Sequence, residues 1–260
     1  MKYTLMCLLS TVFILLLTTS SIAQESEKDA IYQTSTIDAL QEGVFEGNAT
    51  LQILGKFGNF GIGTFQDLDG EMVLIDGYFY QIKADGKVYQ PVNSTQTPFA
   101  MITFFELDMQ ITLEYPVDLK ELLSRIDSLL PTKNIFYAIR IDGDFSYVKT
   151  RSVPKQTKPY SRLADVVKNQ SIFELENLKG TIIGYWLPEY MKGISSTGYH
   201  LHFISADKKS GGHLLGCQMT GGIISLDYTY KYNLDLPVQS DFFQLDLSGN
   251  KHKELEKIEK

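Results

Sequence analysis

Three of the four histidines in this 260-residue sequence lie close together. His200 and His202 alternate with apolar residues, which is the period-two pattern of a half-buried strand, so both imidazoles point to one face. A loop over residues 206–212, ending in two glycines, predicts a hairpin that brings His213 opposite or diagonal to His202. Three imidazoles from adjacent strands can bind a metal ion and leave coordination positions open for water or substrate, as catalytic metal centres do.

The ligands of this predicted site are all nitrogen, which favours zinc (Zn²⁺) over manganese, iron or nickel. Two other interpretations stay open: half-buried imidazoles satisfied by hydrogen bonds, and an ion with a purely structural role. Cys217 lies four residues beyond His213, and its position is equally consistent with a metal ligand and with a small buried hydrophobe.

The elements that must position these side chains are mostly strands. Asp76-Gly77 is a strong hairpin signal and predicts paired strands over residues 71–75 and 78–82. Asp142-Gly143 likewise predicts a turn, in a hairpin that spans residues 135–153. The sequence therefore predicts a β-rich protein.

Helices are few and short in this interpretation. Leucine and isoleucine recur at helical spacing over residues 119–130, with Asp118 as the N-cap and Pro131 as the stop. A shorter helix is predicted over residues 37–42, with Thr36 as its N-cap.

The fold class predicted from these elements is α+β, with two β-rich domains built from mixed or antiparallel sheets. A proline-containing linker over residues 154–159 divides an N-terminal domain, 24–155, from a C-terminal metal-binding domain with a charged tail, 156–260. Both halves contain a short helix, a glycine-rich strand (61–65 and 180–184) and hairpins, which suggests a degenerate tandem duplication.

Composition excludes several classes of function. The chain is 43% hydrophobic and 21% charged, which is typical of a globular protein and excludes a disordered or collagen-like one. Its 24 basic and 31 acidic residues give a net charge of −7, so it offers no electrostatic footprint for nucleic acid and no polybasic face for anionic lipid. We expect a small-molecule partner, and a homodimer is compatible with the sequence.

The N-terminus reads as a secretory signal peptide, residues 1–23. Lys2 precedes an apolar run over residues 5–17, and small residues lead to a cleavage site after Ala23. The sequence therefore predicts export to the periplasm or the extracellular space, with no membrane contact after cleavage. Cys217 is then the single cysteine, so the core must be stable without an internal disulfide.

Several separated motifs resemble one known family. Residues 198–203 and 211–213 resemble the metal-binding segment of the alpha-acetolactate decarboxylases. Residues 60–71, 150–160 and 184–188 are similar to further family motifs and occur in the expected order. The similarity extends from about residue 31 to the end of the chain.

The resemblance implies an α+β protein of two β-rich domains, with zinc held by His200, His202 and His213 near the domain junction. It also implies a carbon–carbon lyase, more narrowly a carboxy-lyase of acetoin biosynthesis. The implied reaction is the decarboxylation of 2-acetolactate to (R)-acetoin.

Other site residues follow from the resemblance alone. Glu71 and Arg151 face the substrate, with Thr64 close by, and a glutamate of the C-terminal tail completes the site. Glu259 matches this tail position best by its distance from the other motifs. Two further tail glutamates stay open as alternatives: Glu254 and Glu256. Without the resemblance, Glu71 is interpreted as an exposed strand-edge carboxylate, and Arg151 as a surface strand residue or a member of an ion pair in the linker.

These residue types suit the implied reaction. Loss of CO2 from a β-keto acid leaves an electron pair, and a Lewis acid on the neighbouring ketone can accept it as a metal-stabilised enediolate. In this hypothesis Arg151 holds the carboxylate through its planar, cationic guanidinium. Glu71 or the tail glutamate delivers a proton to one face, which fixes the configuration of the product.

Two other classes of function compete with the decarboxylase. One is an exported cupin-like metal-dependent oxygenase or hydrolase, although no carboxylate lies within the histidine cluster at facial-triad spacing and no Gly-x-Ser-x-Gly motif is present. The other is a non-enzymatic module that binds a metal or a ligand. Formation of acetoin from acetolactate distinguishes the first interpretation from both.

Overall fold

In the computed structural model, the described residues are 28–238, 240–249 and 255. They form two large sheets, a two-stranded ribbon and a few short helices, so the β-rich prediction is confirmed. No helix within these ranges is both long enough and apolar enough to cross a membrane. The predicted signal peptide and the tail glutamates Glu254, Glu256 and Glu259 lie outside the described residues.

The strands follow one another along the described chain as β1 (Ala30–Thr34), β2 (Ala49–Thr50), β3 (Phe60–Thr64), β4 (Glu71–Ile75), β5 (Tyr78–Ile82), β6 (Val88–Tyr89), β7 (Gln96–Thr97), β8 (Ala100–Thr103), β9 (Met109–Leu113), β10 (Val117–Asp118), β11 (Phe136–Ser152), β12 (Ser171–Leu187), β13 (Gly198–Ser205), β14 (Gly211–Thr229) and β15 (Lys231–Asp235). The helices are α1 (Ile37–Gln41), α2 (Leu51–Leu54), α3 (Leu119–Leu129), α4 (Leu163–Val166) and α5 (Ser240–Phe243).

The first sheet has seven strands in the order β15-β1-β8-β3-β4-β5-β6. Its strand pairs are antiparallel except β1 with β15, which is parallel. The predicted hairpin between β4 and β5 is confirmed. Asp76 and Gly77 have φ values of 52° and 82°, as a tight hairpin turn with two left-handed residues requires.

The second sheet has six strands, in the order β10-β14-β11-β12-β13, with β9 also paired to β14. The start of β14 pairs with β13 as well, so β11, β12, β13 and β14 close into a ring. This closure brings the hairpin that carries the histidines beside the C-terminal end of β11.

The prediction of a turn at Asp142-Gly143 is wrong, because β11 runs straight through both residues. Gly143 pairs with Gly180 on one side and Gly222 on the other. A Cβ atom at Gly143 would lie 2.6 Å from the carbonyl oxygen of Gly221. The glycine therefore allows a close approach of neighbouring backbones and does not mark a turn.

The sheets do not divide at the predicted boundary between residues 155 and 156. Strands β9, β10 and β11 come before it and pair with strands that come after it, while β15 returns to the first sheet. The two-domain division stays a prediction. The two sheets have different strand orders, so the tandem duplication is not confirmed.

The main hydrophobic core lies between the sheets. It joins Ile62 and Val73 of the first sheet to Ala138 and Ile183 of the second. A second core lies on the other side of the six-stranded sheet, where α3 packs through its buried face. Helix α3 confirms the sequence prediction, with the Asp118 carboxylate accepting a hydrogen bond from the Glu121 backbone amide at 2.8 Å.

Candidate metal centre

The three clustered histidines lie on one hairpin, as the sequence predicts. His202 of β13 is directly opposite His213 of β14, and His200 lies two residues earlier on β13. The ring centroids are separated by 5.3, 5.1 and 5.4 Å for the pairs 200–202, 200–213 and 202–213. One ligand atom from each ring lies within 4.8 Å of the others, so the group could hold a metal ion.

Two glycines let the neighbouring strands approach the hairpin closely. A Cβ atom at Gly184 of β12 would lie 2.0 Å from the carbonyl oxygen of His200. A Cβ atom at Gly212 would lie 2.4 Å from the carbonyl oxygen of Arg151, and Gly212 has a φ of +136°. Both positions therefore require glycine, and Gly212 allows His213 to pair with Arg151 of β11.

The three histidines are buried, and burial favours the neutral form of His200 and His202. The exposed fractions of His200, His202 and His213 are 8%, 1% and 2%. Burial lowers the pKa of His200 to about 3, and the positive charge of Arg151 contributes to the shift. Burial also lowers the pKa of His202, with smaller contributions from His200 and Arg151. Neutral imidazole is the form that binds metal ions.

The orientation of His202 fits a metal ligand. Its Nδ1 lies 2.8 Å from the carbonyl oxygen of Met72, and because a carbonyl only accepts hydrogen bonds, Nδ1 carries the proton. Nε2 then presents a lone pair, is buried and makes no hydrogen bond within the described part of the chain. It lies 3.5 Å from Glu71 Oε2. A buried ring nitrogen whose lone pair meets no hydrogen-bond donor is the arrangement expected of a metal ligand.

Glu71 and Thr64 reach the histidines from the other sheet. They pair with each other across β4 and β3, and their exposed fractions are 8% and 5%. The interpretation of Glu71 as an exposed edge carboxylate is therefore wrong. The Thr64 hydroxyl donates a hydrogen bond to the carbonyl oxygen of Gly70 at 2.7 Å, which fixes the backbone just before Glu71.

Arg151 is the penultimate residue of β11 and is 4% exposed, so it is not a surface residue. Its Nε is buried and has no hydrogen-bond partner among the residues that the structure describes. A buried guanidinium nitrogen that faces a pocket without a partner can bind an anionic group of a ligand.

One pocket brings together all of the predicted site residues that the structure describes. The pocket is small: its cavity volume is about 40 Å³, which restricts it to a small ligand. Its polar side is formed by Thr64, Glu71, Arg151, His200, His202 and His213. Its apolar side is formed by Ile37, Leu40, Leu68, Phe99, Val153 and Leu163.

The apolar side was not predicted from the sequence. Leu68 follows Asp67, and both have left-handed φ values, 55° and 62°. The Tyr160 hydroxyl donates a hydrogen bond to the Asp67 carboxylate, and the Gln156 amide donates one to the Asp67 carbonyl at 2.7 Å. No pattern of sequence spacing signals this contact, because it joins two irregular segments far apart in the chain.

The fold and the site define a small-molecule enzyme with a three-histidine centre at the junction of two sheets. The sequence model of the family "Alpha-acetolactate decarboxylase" matches residues 31–249. The chain belongs to this family of carboxy-lyases.

Individual relatives agree over most of their length. The alpha-acetolactate decarboxylase of Methanosarcina mazei is 49% identical over 232 residues, which are 89% of this chain and 81% of the relative. The Bacillus subtilis strain 168 enzyme is 42% identical over 219 residues, 84% of this chain and 86% of the relative. A crystal structure of alpha-acetolactate decarboxylase from the same strain superposes with a TM-score of 0.87 at 41% identity, covering 88% of this chain and 99% of that one.

Proposed function

We propose that the protein decarboxylates 2-acetolactate to (R)-acetoin with zinc held by His200, His202 and His213. The observation that carries this proposal is the convergence of three buried imidazoles, one carboxylate and one guanidinium in a single pocket. Family membership supports the reaction, and the all-nitrogen donor set supports zinc.

Arg151 binds the substrate carboxylate and orients the bond that breaks. Zinc, when bound, supplies a Lewis acid that polarises the substrate ketone. The bond between C2 and the carboxylate carbon breaks, CO2 leaves, and its electron pair passes to C2 and the neighbouring carbonyl. Arg151 is suited to this role because its charge is permanent and its guanidinium forms two parallel hydrogen bonds with a carboxylate.

Glu71 holds the proton that C2 receives in place of the carboxylate. Its carboxylate lies in the pocket beside His202, on the side of the seven-stranded sheet. A proton delivered from one fixed side gives a single configuration at C2. Glu259 is the alternative donor in this proposal, and Glu254 and Glu256 are the other tail candidates.

The apolar side of the pocket receives the two methyl groups of acetolactate and excludes water. Leu40, Leu68 and Leu163 are among the apolar residues that line the pocket. Exclusion of water strengthens the electrostatic interactions of Arg151 and Glu71 with the substrate.

This function is tested by incubating the purified protein with racemic acetolactate and separating the acetoin by chiral chromatography. The expected result is (R)-acetoin, loss of activity after treatment with a chelator, and recovery on addition of zinc. Recovery with another metal only would reject zinc. Bound metal without any acetoin would reject the decarboxylase and favour an oxygenase, a hydrolase or a binding module.

We also propose export after cleavage near Ala23, supported by the apolar run over residues 5–17. Amino-terminal sequencing of the secreted protein should begin at Gln24.

We further propose a homodimer, because β15 lies at an edge of the seven-stranded sheet and Leu236 and Val238 beyond it are exposed. Light scattering should then give twice the mass of one chain, and the mass of a single chain would reject the dimer.

A further inference from the structure

Two hydrogen bonds join the sheets immediately beside the pocket. His202 Nδ1 of the six-stranded sheet donates to the carbonyl oxygen of Met72 at 2.8 Å. The Ser152 hydroxyl, also of the six-stranded sheet, donates to the carbonyl oxygen of Ile82 at 2.8 Å. Met72 follows Glu71 in β4, and Ile82 is the partner of Glu71 in β5. Both cross-sheet hydrogen bonds therefore end next to Glu71.

Ser152 is placed to connect the two charged groups of the site. It is completely buried and follows Arg151 as the last residue of β11. The Ile82 carbonyl that it contacts also packs against Gly70, where a Cβ atom would lie 2.3 Å from that oxygen. The C-terminal end of β11, which carries Arg151, is thus hydrogen-bonded to β5 at the residue that pairs with Glu71.

We propose that Ser152 is a positioning residue that fixes Glu71 relative to Arg151. This inference rests on the roles assigned to both residues in the proposed function. Within each sheet, ladder hydrogen bonds determine where neighbouring residues lie. Between the sheets, the core consists mainly of apolar contacts, which have no preferred direction. The directional hydrogen bonds of His202 and Ser152 add the alignment that apolar packing does not, and that of Ser152 joins the backbone next to Glu71 to the strand of Arg151.

Removal of the hydroxyl in Ser152→Ala should affect chemistry more than substrate binding. Arg151 can still bind the carboxylate, but the proton donor is no longer held at a fixed position relative to C2. We expect kcat to fall about tenfold or more, since small misplacements of reacting groups are costly, and KM to change little. The enantiomeric purity of the acetoin should also fall, because protonation is no longer confined to one face.

The matched control is Thr103→Val. The Thr103 hydroxyl is also buried and also donates to a backbone carbonyl, that of Ala30 at 3.0 Å, but Thr103 does not line the pocket. Thr103→Val therefore removes a buried hydroxyl-to-carbonyl hydrogen bond that lies within the seven-stranded sheet and does not join the sheets, and kcat and enantiomeric purity should match those of the wild type.

The proposal is tested by three measurements on the full-length zinc-loaded wild type and both variants. These are steady-state kinetics, chiral analysis of the acetoin and amide hydrogen exchange. Exchange in residues 71–75 and 78–82 should accelerate in Ser152→Ala and not in Thr103→Val. Unchanged exchange, or faster exchange with unchanged kcat and enantiomeric purity, would overturn the positioning role. If the wild type forms no acetoin, the proposed function fails instead, and exchange alone decides whether Ser152 holds β4 and β5.

Discussion

His202 and Glu71 belong to different sheets, yet His202 Nε2 and Glu71 Oε2 lie 3.5 Å apart. The site is therefore assembled from two layers, with the imidazoles and Arg151 on one and Glu71 and Thr64 on the other. Separate changes on each side should have different effects on metal binding and on catalysis.

Glu71→Gln should keep the metal and lose the proton donor. We expect kcat to fall on the order of 10²-fold, as is typical when a general acid or base is removed, with zinc content unchanged. Steady-state kinetics and metal analysis measure both. Glu176→Gln, at an exposed carboxylate of β12, is the control. Unchanged rate and unchanged product configuration in Glu71→Gln would remove Glu71 from the mechanism.

His213→Gln should lose most of the bound zinc, because two imidazoles bind the ion far more weakly than three. Mass spectrometry of the metal after dialysis measures this without reference to activity. The control is His252→Gln, which changes the fourth histidine, distant from the other three in the sequence. Full retention of zinc in His213→Gln would show that the ion binds elsewhere.

Arg151→Lys should weaken substrate binding even though the positive charge is kept. Lysine cannot form the paired hydrogen bonds of a guanidinium with a carboxylate, so we expect kcat/KM to fall about tenfold or more, as for loss of one hydrogen bond to a charged group. Arg125→Lys on the exposed face of α3 is the control. Equal kcat/KM in both variants would contradict the assigned role.

Asp227 should make the protein less stable as the pH rises. Burial raises its pKa to about 7 from an ordinary value of 3.8, and the negative charges of Asp108, Asp29 and Glu106 add to the shift. The folded state therefore holds the proton more tightly than the unfolded state. The contribution of Asp227 to the free energy of unfolding is therefore largest below about pH 4. It decreases as the pH rises to about 7.

Asp227→Asn should remove this loss. Urea unfolding with a chelator present should show the variant gaining stability relative to the wild type between pH 4.5 and pH 8, by on the order of 2 kcal/mol or more. Asp144→Asn, at an exposed aspartate of β11, should show no such gain. Parallel pH profiles for Asp227→Asn and the wild type would refute the assignment.

Local signals in the sequence predicted much of this structure. Asp76-Gly77 marks the β4–β5 turn, and Asp118 caps α3, because both depend on residues adjacent in the chain. The pairing of His202 with His213 was predicted for the same reason, since a short loop joins their strands. The Asp142-Gly143 signal failed because the strands on both sides of β11 come from distant segments and require glycine there.

Features that depend on the contact between sheets could not be predicted from the residues alone. The placement of Glu71 and Arg151 facing the substrate was implied by the family resemblance and not by their neighbours in the sequence. The place of Leu68 in the pocket depends on a left-handed turn held by a distant segment, and sequence spacing does not reveal such a contact. The Ser152 contact has no sequence signal of any kind.

The parallel pairing of β15 with β1 has a consequence for the order of assembly during folding. Strand β1 can complete its outer row of backbone hydrogen bonds only when β15 is present, and β15 is the last strand of the described chain. The pocket needs both layers, so we expect it to form late, after the ring of β11–β14 has closed. A chain truncated before residue 231 should accordingly be sensitive to protease in β1.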